Sequence, residues 1–179
     1  DAVVLATLPP GPYTVQAKGP VNQPNASGVV LIEIYDVTPN VAAAGRAANV
    51  STRGAVGTGS NIIIAGFVVN GTASRRVLVR GVGPTLASFG VTGLLADPQI
   101  TLIDQASGRT LRSNNDWAAG DDAGIIAAAS TAAGAFPLAN GSRDAALILM
   151  LPPGPYTVQL SGVNNGTGVG IVEVYDVDP

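Results

Sequence analysis

The stretch DAALILMLPPGPYTVQLSG, residues 144–162, repeats the opening of the chain, DAVVLATLPPGPYTVQAKG, residues 1–19. A second pair of similar segments follows, SGVVLIEIYDVTP at residues 27–39 and TGVGIVEVYDVDP at residues 167–179. The shared octapeptide LPPGPYTV is too long to arise from composition. Internal repeats reveal the unit from which a chain is built. We call residues 1–39 the amino-terminal copy and residues 144–179 the carboxy-terminal copy.

Each copy is predicted to form a β-hairpin. An apolar strand ends at the Pro-Pro-Gly-Pro turn, YTVQ begins a second strand, and a loop leads to a strand of alternating pattern. In that last strand Ile171, Glu173 and Tyr175 share one face, while Val172 and Val174 share the other. Both faces are largely apolar, which is typical of a strand covered on both sides in a sandwich or an assembly.

The sequence between the copies predicts further strands and one helix. Strands are expected within residues 61–71 and 74–84, and two more are expected on either side of Ser107-Gly108. Residues 123–133 are rich in alanine and predict a helix that Asp121 or Asp122 caps and Gly134 ends. The glycine groups at residues 57–61 and 80–84 lack the context of a phosphate loop and are predicted to be turns.

These elements predict an all-β fold. We expect a jelly-roll-like β-sandwich with one short Ala-rich helix, plus an amino-terminal hairpin that duplicates the carboxy-terminal one. Residues 40–179 would form the complete sandwich domain, and residues 1–39 would form a surplus hairpin. The charges inside the apolar strands need partners, so Glu173 and Arg80 are predicted to form an ion pair that fixes strand register.

The composition argues against most kinds of enzyme. The chain has 179 residues and contains neither cysteine nor histidine. It therefore has no thiol nucleophile, no imidazole base and no Cys/His zinc site. Carboxylates such as Asp116, Asp121 and Asp122 could serve glycoside hydrolysis only across a cleft, which sequence spacing does not show. We expect no enzymatic activity.

The charge content points toward association with copies of the same chain. Charged residues make up 12% of the sequence, against about 25% in an ordinary soluble domain. The surface is therefore either polar and uncharged or buried against other copies. A net charge of −3 with nine scattered cations predicts no nucleic-acid partner. The apolar run at residues 62–69 is too short to predict a membrane span.

The surplus hairpin predicts an assembly interface. A two-stranded hairpin is not stable alone in water, so this one must dock on a sheet edge of its own chain or of the next chain. Head-to-tail docking on the next chain would build a fibre. The apolar side chains expected to form the interface are Leu5, Leu8, Tyr13, Val15, Leu31, Ile32, Ile34 and Tyr35.

One polar cluster predicts either a calcium site or an ordinary turn. Oxygen-bearing side chains crowd the segment SNNDWAAGDD, and calcium binds such ligands on loops. The spacing does not match an EF-hand, so the alternative is an Asx-turn and a helix cap beside a buried Trp117. The possible metal ligands are Asn114, Asn115, Asp116, Asp121 and Asp122. No other cofactor is expected.

Residues 49–177 resemble a module found, often near the carboxyl end, in large secreted and surface-anchored bacterial proteins. The most specific parts are VRGVGPTL, DPQITL and LPPGPYTVQLSGVNNGTGVGIVEVYDV. The resemblance implies an extracellular or cell-surface β-rich domain without assigned catalysis. This chain departs from the module by its additional amino-terminal copy.

The expected function is therefore structural: a subunit of an extracellular bacterial filament, assembled from copies of itself through residues 1–37. One alternative is a module that binds carbohydrate or a surface polymer, with a calcium-dependent site at residues 114–122. Another is one slice of a surface protein made of tandem repeats.

Overall fold

The structure is a computed structural model that describes residues 2–19, 22, 28–37 and 48–178. The chain divides into two compact units, Asp1–Ala47 and Ala48–Pro179. Regular secondary structure, within the described residues, lies in the second unit.

The second unit is a β-sandwich of two antiparallel four-stranded sheets. The sheets have the strand orders β1-β8-β3-β6 and β2-β7-β4-β5, which is the jelly-roll arrangement of two Greek keys. The predicted all-β, jelly-roll-like fold is confirmed. The strands are β1 Asn49–Val56, β2 Ile63–Val69, β3 Arg75–Val82, β4 Pro98–Asp104, β5 Arg109–Asn114, β6 Ala145–Leu151, β7 Gly154–Gly162 and β8 Gly168–Asp176. The α-helix α1 spans Ala123–Ala132, and short 3-10 helices span Pro84–Phe89 and Val163–Asn165.

The carboxy-terminal copy is not a hairpin. Its strands β6 and β8 lie in one sheet, and β7 lies in the other, so the chain crosses the sandwich twice. The prolines at 152 and 153 carry no N–H with which to continue a two-stranded ladder through the turn. Hydrophobic periodicity predicts which face of a strand is buried but not which strand it pairs with, and for that reason the hairpin prediction was wrong.

The inner faces of the two sheets form the main core. Val79, Ile100, Leu102 and Val158 are completely buried there. Gly81 was predicted to lie in a turn, but it lies inside β3. A Cβ at this position would overlap Cγ2 of Ile100 on the facing sheet. Close packing of the facing sheet therefore requires glycine at position 81.

A second apolar layer covers the outer face of the first sheet. Leu78, Trp117, Ile126 and Tyr175 pack together beneath α1 and the first 3-10 helix. The inner face of β8 contributes Val172 and Val174 to the main core. The strand is therefore covered on both sides, as its two apolar faces predicted.

The ends of α1 follow the sequence prediction only in part. Gly134 has φ +70°, and its N–H donates to the carbonyl oxygen of Thr131 (3.1 Å), which ends the helix as predicted. Asp122 occupies the N-cap position but makes no side-chain cap hydrogen bond. Its carboxylate instead accepts a hydrogen bond from Nη2 of Arg112 at 2.8 Å, so the predicted side-chain cap is wrong.

Candidate assembly interface

The amino-terminal copy exposes the apolar side chains that its counterpart buries. Val15 is 58% exposed, whereas Val158, the matching residue of β7, is 0% exposed. Tyr35 is 72% exposed, whereas Tyr175 of β8 is 7% exposed. All the residues predicted to form the interface are exposed, namely Leu5, Leu8, Tyr13, Val15, Leu31, Ile32, Ile34 and Tyr35. Monomeric proteins rarely leave so many apolar side chains in water.

The two copies share the local structure of their proline-rich turn. The hydroxyl of Tyr13 donates to the carbonyl oxygen of Pro9 at 2.6 Å, and the hydroxyl of Tyr156 donates to that of Pro152 at 2.8 Å. The tyrosine ring covers the glycine two residues earlier in both copies, with its hydroxyl 3.7 Å from an ideal Cβ. The turn therefore forms in the same way with and without a surrounding sandwich.

A second local contact is also repeated. The hydroxyl of Tyr35 donates to Oε1 of Glu33 at 2.9 Å, as that of Tyr175 donates to Oε1 of Glu173 at 3.1 Å. The hydrogen bond to Glu33 raises the pKa of Tyr35. Burial, followed by the charge of Glu173, raises the pKa of Tyr175 to about 12. The same pair of side chains is thus exposed in one copy and enclosed in the other.

In the sandwich, this glutamate faces a buried arginine. Nε of Arg80 lies 3.1 Å from Oε2 of Glu173, so the ion pair predicted from the sequence is confirmed. The two atoms are close, but the N–H is not aligned for a hydrogen bond. Nη1 of Arg80 donates to the carbonyl oxygen of Phe136 at 2.8 Å, and the guanidinium lies 4.5 Å from the centre of that ring. Burial raises the pKa of Glu173, and the charge of Arg80 and the hydrogen bond from Tyr175 oppose the shift.

The sequence analysis missed the buried carboxylate at the start of β6. Asp144 is completely buried and accepts hydrogen bonds from the backbone N–H of Gly83 (2.8 Å) and the hydroxyl of Ser142 (2.6 Å). It also accepts from the N–H and the hydroxyl of Thr85. The carboxylate ties β6 to the loop after β3. One signal was available, because both copies begin with Asp-Ala.

Two side chains of the predicted calcium site, those of Asn114 and Asp122, have other contacts. Oδ1 of Asn114 accepts from the N–H of Ala146 at 2.9 Å, and its Nδ2 donates to the carbonyl oxygen of Asp116 at 3.2 Å. Asp122 is paired with Arg112. In residues 2–19, 22, 28–37 and 48–178, no three Asp, Glu, His or Cys side chains converge on a common point. Calcium binding by Asn114, Asn115, Asp116, Asp121 and Asp122 stays a prediction.

A mainly polar recess of the sandwich lies away from that cluster. It has a volume of about 430 Å³ and includes Gln99, Ser161, Asn164 and Asn165 in its lining. Its lining contains no aromatic side chain on which a sugar ring could stack. Across the described residues, no helix has the length and apolar character needed to span a bilayer.

The free strand edges of the sandwich differ in charge. Within the described sheets, the edge strands are β1 and β6 in one sheet and β2 and β5 in the other. The edges β1 and β5 contain arginines, whereas β2 and β6 contain no charged residue and expose Ile64, Val68 and Met150. An uncharged apolar edge is the kind to which another strand can add. The edges of β2 and β6 are therefore the alternative acceptors for an additional strand.

Comparison with known proteins finds similarity among solved structures. No protein-family model matches the chain. No curated protein matches it either. Among solved structures, it is similar to the pre-peptidase C-terminal domain of a collagenase from Bacillus anthracis, with a TM-score of 0.42 and 13% sequence identity over 70% of this chain and 88% of that chain.

Proposed function

We propose that this protein is a non-enzymatic structural subunit of an extracellular bacterial filament or surface fibre. In this assembly, the amino-terminal copy of each subunit docks on the sandwich of its neighbour. The observation that carries the proposal is the exposure of side chains whose counterparts form the core of the sandwich. Each Val, Leu or Ile that becomes buried on docking contributes about 1.5–3 kcal/mol. The six aliphatic side chains and two tyrosines of the interface are enough to drive association, even after the entropy of ordering the segment.

The polarity of the contact explains why the assembly would extend. The docking segment and the sandwich that receives it are different surfaces of the subunit. A heterologous contact of this kind generates an open filament unless its rotation closes a ring. Low charge supports the proposal, since charged residues make up only 12% of the chain and little like-charge repulsion opposes close packing of subunits.

The experiment is electron microscopy and light scattering of the full chain and of two single variants. Val15→Asp places a charge at an interface position, whereas Gln16→Asp makes the same change of charge at the neighbouring polar position. We expect filaments from the wild type and from Gln16→Asp, and monomers from Val15→Asp and from a chain without residues 1–37. Filaments from the deletion variant would overturn the proposal.

The same exposed copy favours a second arrangement. The sandwich that receives residues 2–37 could precede them in one polypeptide, which would make the chain a slice of a surface protein built of tandem repeats. The isolated chain of 179 residues would then remain a monomer at every concentration. Light scattering of the wild type thus separates the two arrangements.

A further inference from the structure

We infer that the amino-terminal copy is a closing unit for a jelly roll: residues 2–37 take the places of β6, β7 and β8 in a β1–β5 body that lacks its own closing strands. We call residues 49–143 the body. This inference rests on the second arrangement proposed above, because only a body that precedes the copy in one polypeptide would have no closing strands of its own. The alternative with which it competes is addition of a strand to a free edge of a complete neighbouring sandwich.

The charge of Glu33 complements the charge of Arg80 in the body. Glu33 stands at the sequence position of Glu173, which pairs with the completely buried Arg80 in strand β3. A glutamate within an apolar strand is costly to bury unless an opposite charge meets it. In the closing position, Glu33 would meet the arginine of the body at position 80. At the edges of β2 and β6 it would meet no charge, since neither Ile63–Val69 nor Ala145–Leu151 contains one.

Side-chain volume at position 160 compensates for side-chain volume at position 170. In the sandwich, Leu160 is completely buried, and an ideal Cβ on Gly170 would lie 3.1 Å from its Cδ2. A side chain at position 170 therefore requires a smaller residue at position 160. The amino-terminal copy has this combination, with Ala17 in place of the leucine and Val30 in place of the glycine. The total number of side-chain carbons is unchanged.

This compensation has a reason only if the two positions meet across a core. Positions 160 and 170 lie on β7 and β8, which belong to opposite sheets. A strand added to an edge would not bring Ala17 and Val30 together across a sandwich. The paired change therefore indicates that the amino-terminal copy packs as β7 and β8 do.

The last strand of each copy has two apolar faces. Strand β8 lies between β1 and β3 and is covered by one apolar layer on each side. Its counterpart, residues 28–37, has apolar residues at the same positions on both faces. An edge strand has one neighbour and does not need two apolar faces. The pattern fits an interior strand.

The body of the chain itself can act as the test acceptor. Asn49 of β1 pairs with Tyr175 of β8, so the start of the body lies beside the end of the closing strands. If Tyr35 took the place of Tyr175, it would lie beside Asn49 of the body. A full chain whose carboxy-terminal copy is disabled can therefore be closed by its own amino-terminal copy or by that of another molecule.

The test disables each copy in the full chain. Val158→Asp puts a charge at a completely buried position of β7, and Val15→Asp makes the equivalent change in the amino-terminal copy. Unfolding in urea is followed by the fluorescence of Trp117, the only tryptophan of the chain. We expect a cooperative transition for Val15→Asp, a transition at lower urea for Val158→Asp, and none for the double variant. Gln16→Asp combined with Val158→Asp is the matched control and should keep the transition.

Two results would overturn the inference. One is a Val158→Asp chain that is as unfolded as the double variant, which would show that the amino-terminal copy cannot close the body. The other is a double variant as stable as Val158→Asp, which would show that the copy takes no part. Both are separate from the test of the filament, which is the presence or absence of polymer in the wild type.

The register is tested by cross-linking, because the chain has no natural cysteine. Thr7 corresponds to Met150, which pairs with Arg76 across β6 and β3. In the Val158→Asp background, Thr7→Cys and Arg76→Cys should cross-link with a short bifunctional reagent. Met150→Cys with Arg76→Cys in the otherwise unchanged chain is the positive reference. A Thr7 cross-link to an introduced Ile64→Cys on β2, with none to position 76, would contradict the closing register.

Discussion

Arg80 shows at the scale of single residues how the sandwich manages a buried charge. The guanidinium is completely buried and is held by the carboxylate of Glu173, the carbonyl oxygen of Phe136 and the face of the Phe136 ring. Removing one partner from such a pair leaves an uncompensated charge in the interior. These contacts couple β3 to β8 and to the segment after α1. A body with a buried arginine at position 80 therefore needs a glutamate on the strand beside it, and both copies contain this glutamate.

The compensation between positions 160 and 170 predicts a favourable coupling. Leu160→Ala should destabilise the sandwich by about 2–5 kcal/mol through a cavity. Gly170→Val should cost about 1–3 kcal/mol through overpacking. Because the valine fills the space that the leucine leaves, the double variant should lose less stability than the sum of the single variants. Urea unfolding of the three variants measures the coupling, and additive losses would contradict the compensation.

The ionisation of Tyr175 predicts a pH dependence. Its pKa is raised from 10.0 to about 12, first by burial and then by the charge of Glu173. A group with a raised folded-state pKa stabilises the fold below its unfolded pKa, and that contribution is lost as pH rises through the folded value. The stability of the sandwich should therefore fall between about pH 10 and pH 12.

Substitution of Tyr175 isolates this contribution. Tyr175→Phe should make the fall in urea midpoint across the alkaline range shallower, whereas Tyr13→Phe, in the exposed amino-terminal copy, should leave the wild-type profile unchanged. Parallel profiles for Tyr175→Phe and the wild type would show that the hydroxyl does not govern this range.

At the scale of elements, the sequence predicted which segments are strands better than how they pair. The segments that form β2 and β3 are rich in β-branched residues and are followed by Asn70-Gly71 and Gly83-Pro84. The sequence therefore predicted that both segments are strands. The ion pair between Arg80 and Glu173 was also predicted, because charges inside apolar strands need partners. The sequence did not predict that the chain crosses between the sheets, since consecutive strands of a jelly roll can pack across the core instead of pairing.

The side-chain contacts that the sequence did not reveal depend on distant parts of the chain. Asp122 was expected to cap α1, but its carboxylate pairs with Arg112 on β5. Asp144 was not singled out because its partners, Gly83 and Thr85, lie far away in sequence. Sequence spacing carries no record of such contacts. The exposed positions of the amino-terminal copy were readable because the sequence contains both copies.

Asp144 predicts how strongly β6 depends on the loop after β3. Asp144→Ala would leave the N–H groups of Gly83 and Thr85 buried without an acceptor, and each such group costs about 1–3 kcal/mol. Urea unfolding should show a loss of at least this size. The exposed Asp121→Ala is the control and should change stability by less than about 0.5 kcal/mol. A loss equal to that of the control would show that other contacts hold β6.

At the scale of the whole molecule, the chain combines a closed sandwich with an additional copy of its closing strands. The sandwich contains its own β6, β7 and β8, and the amino-terminal copy belongs to the other compact unit. Burial of that copy on another molecule would remove apolar surface from water. The forces that hold the assembly are then those that hold the core.

The proposed polymer should therefore respond to temperature more than to salt. Apolar burial weakens on cooling, so the critical concentration for assembly should rise between about 25 °C and about 4 °C. Raising NaCl from about 0.05 M to about 0.5 M should change it little, because the interface side chains are apolar. Sedimentation of the wild type under the four conditions measures both effects, with Gln16→Asp as a control for added surface charge. A polymer that dissolves in salt but tolerates cold would be held by surface charges, and docking of the apolar copy would then not be its cause.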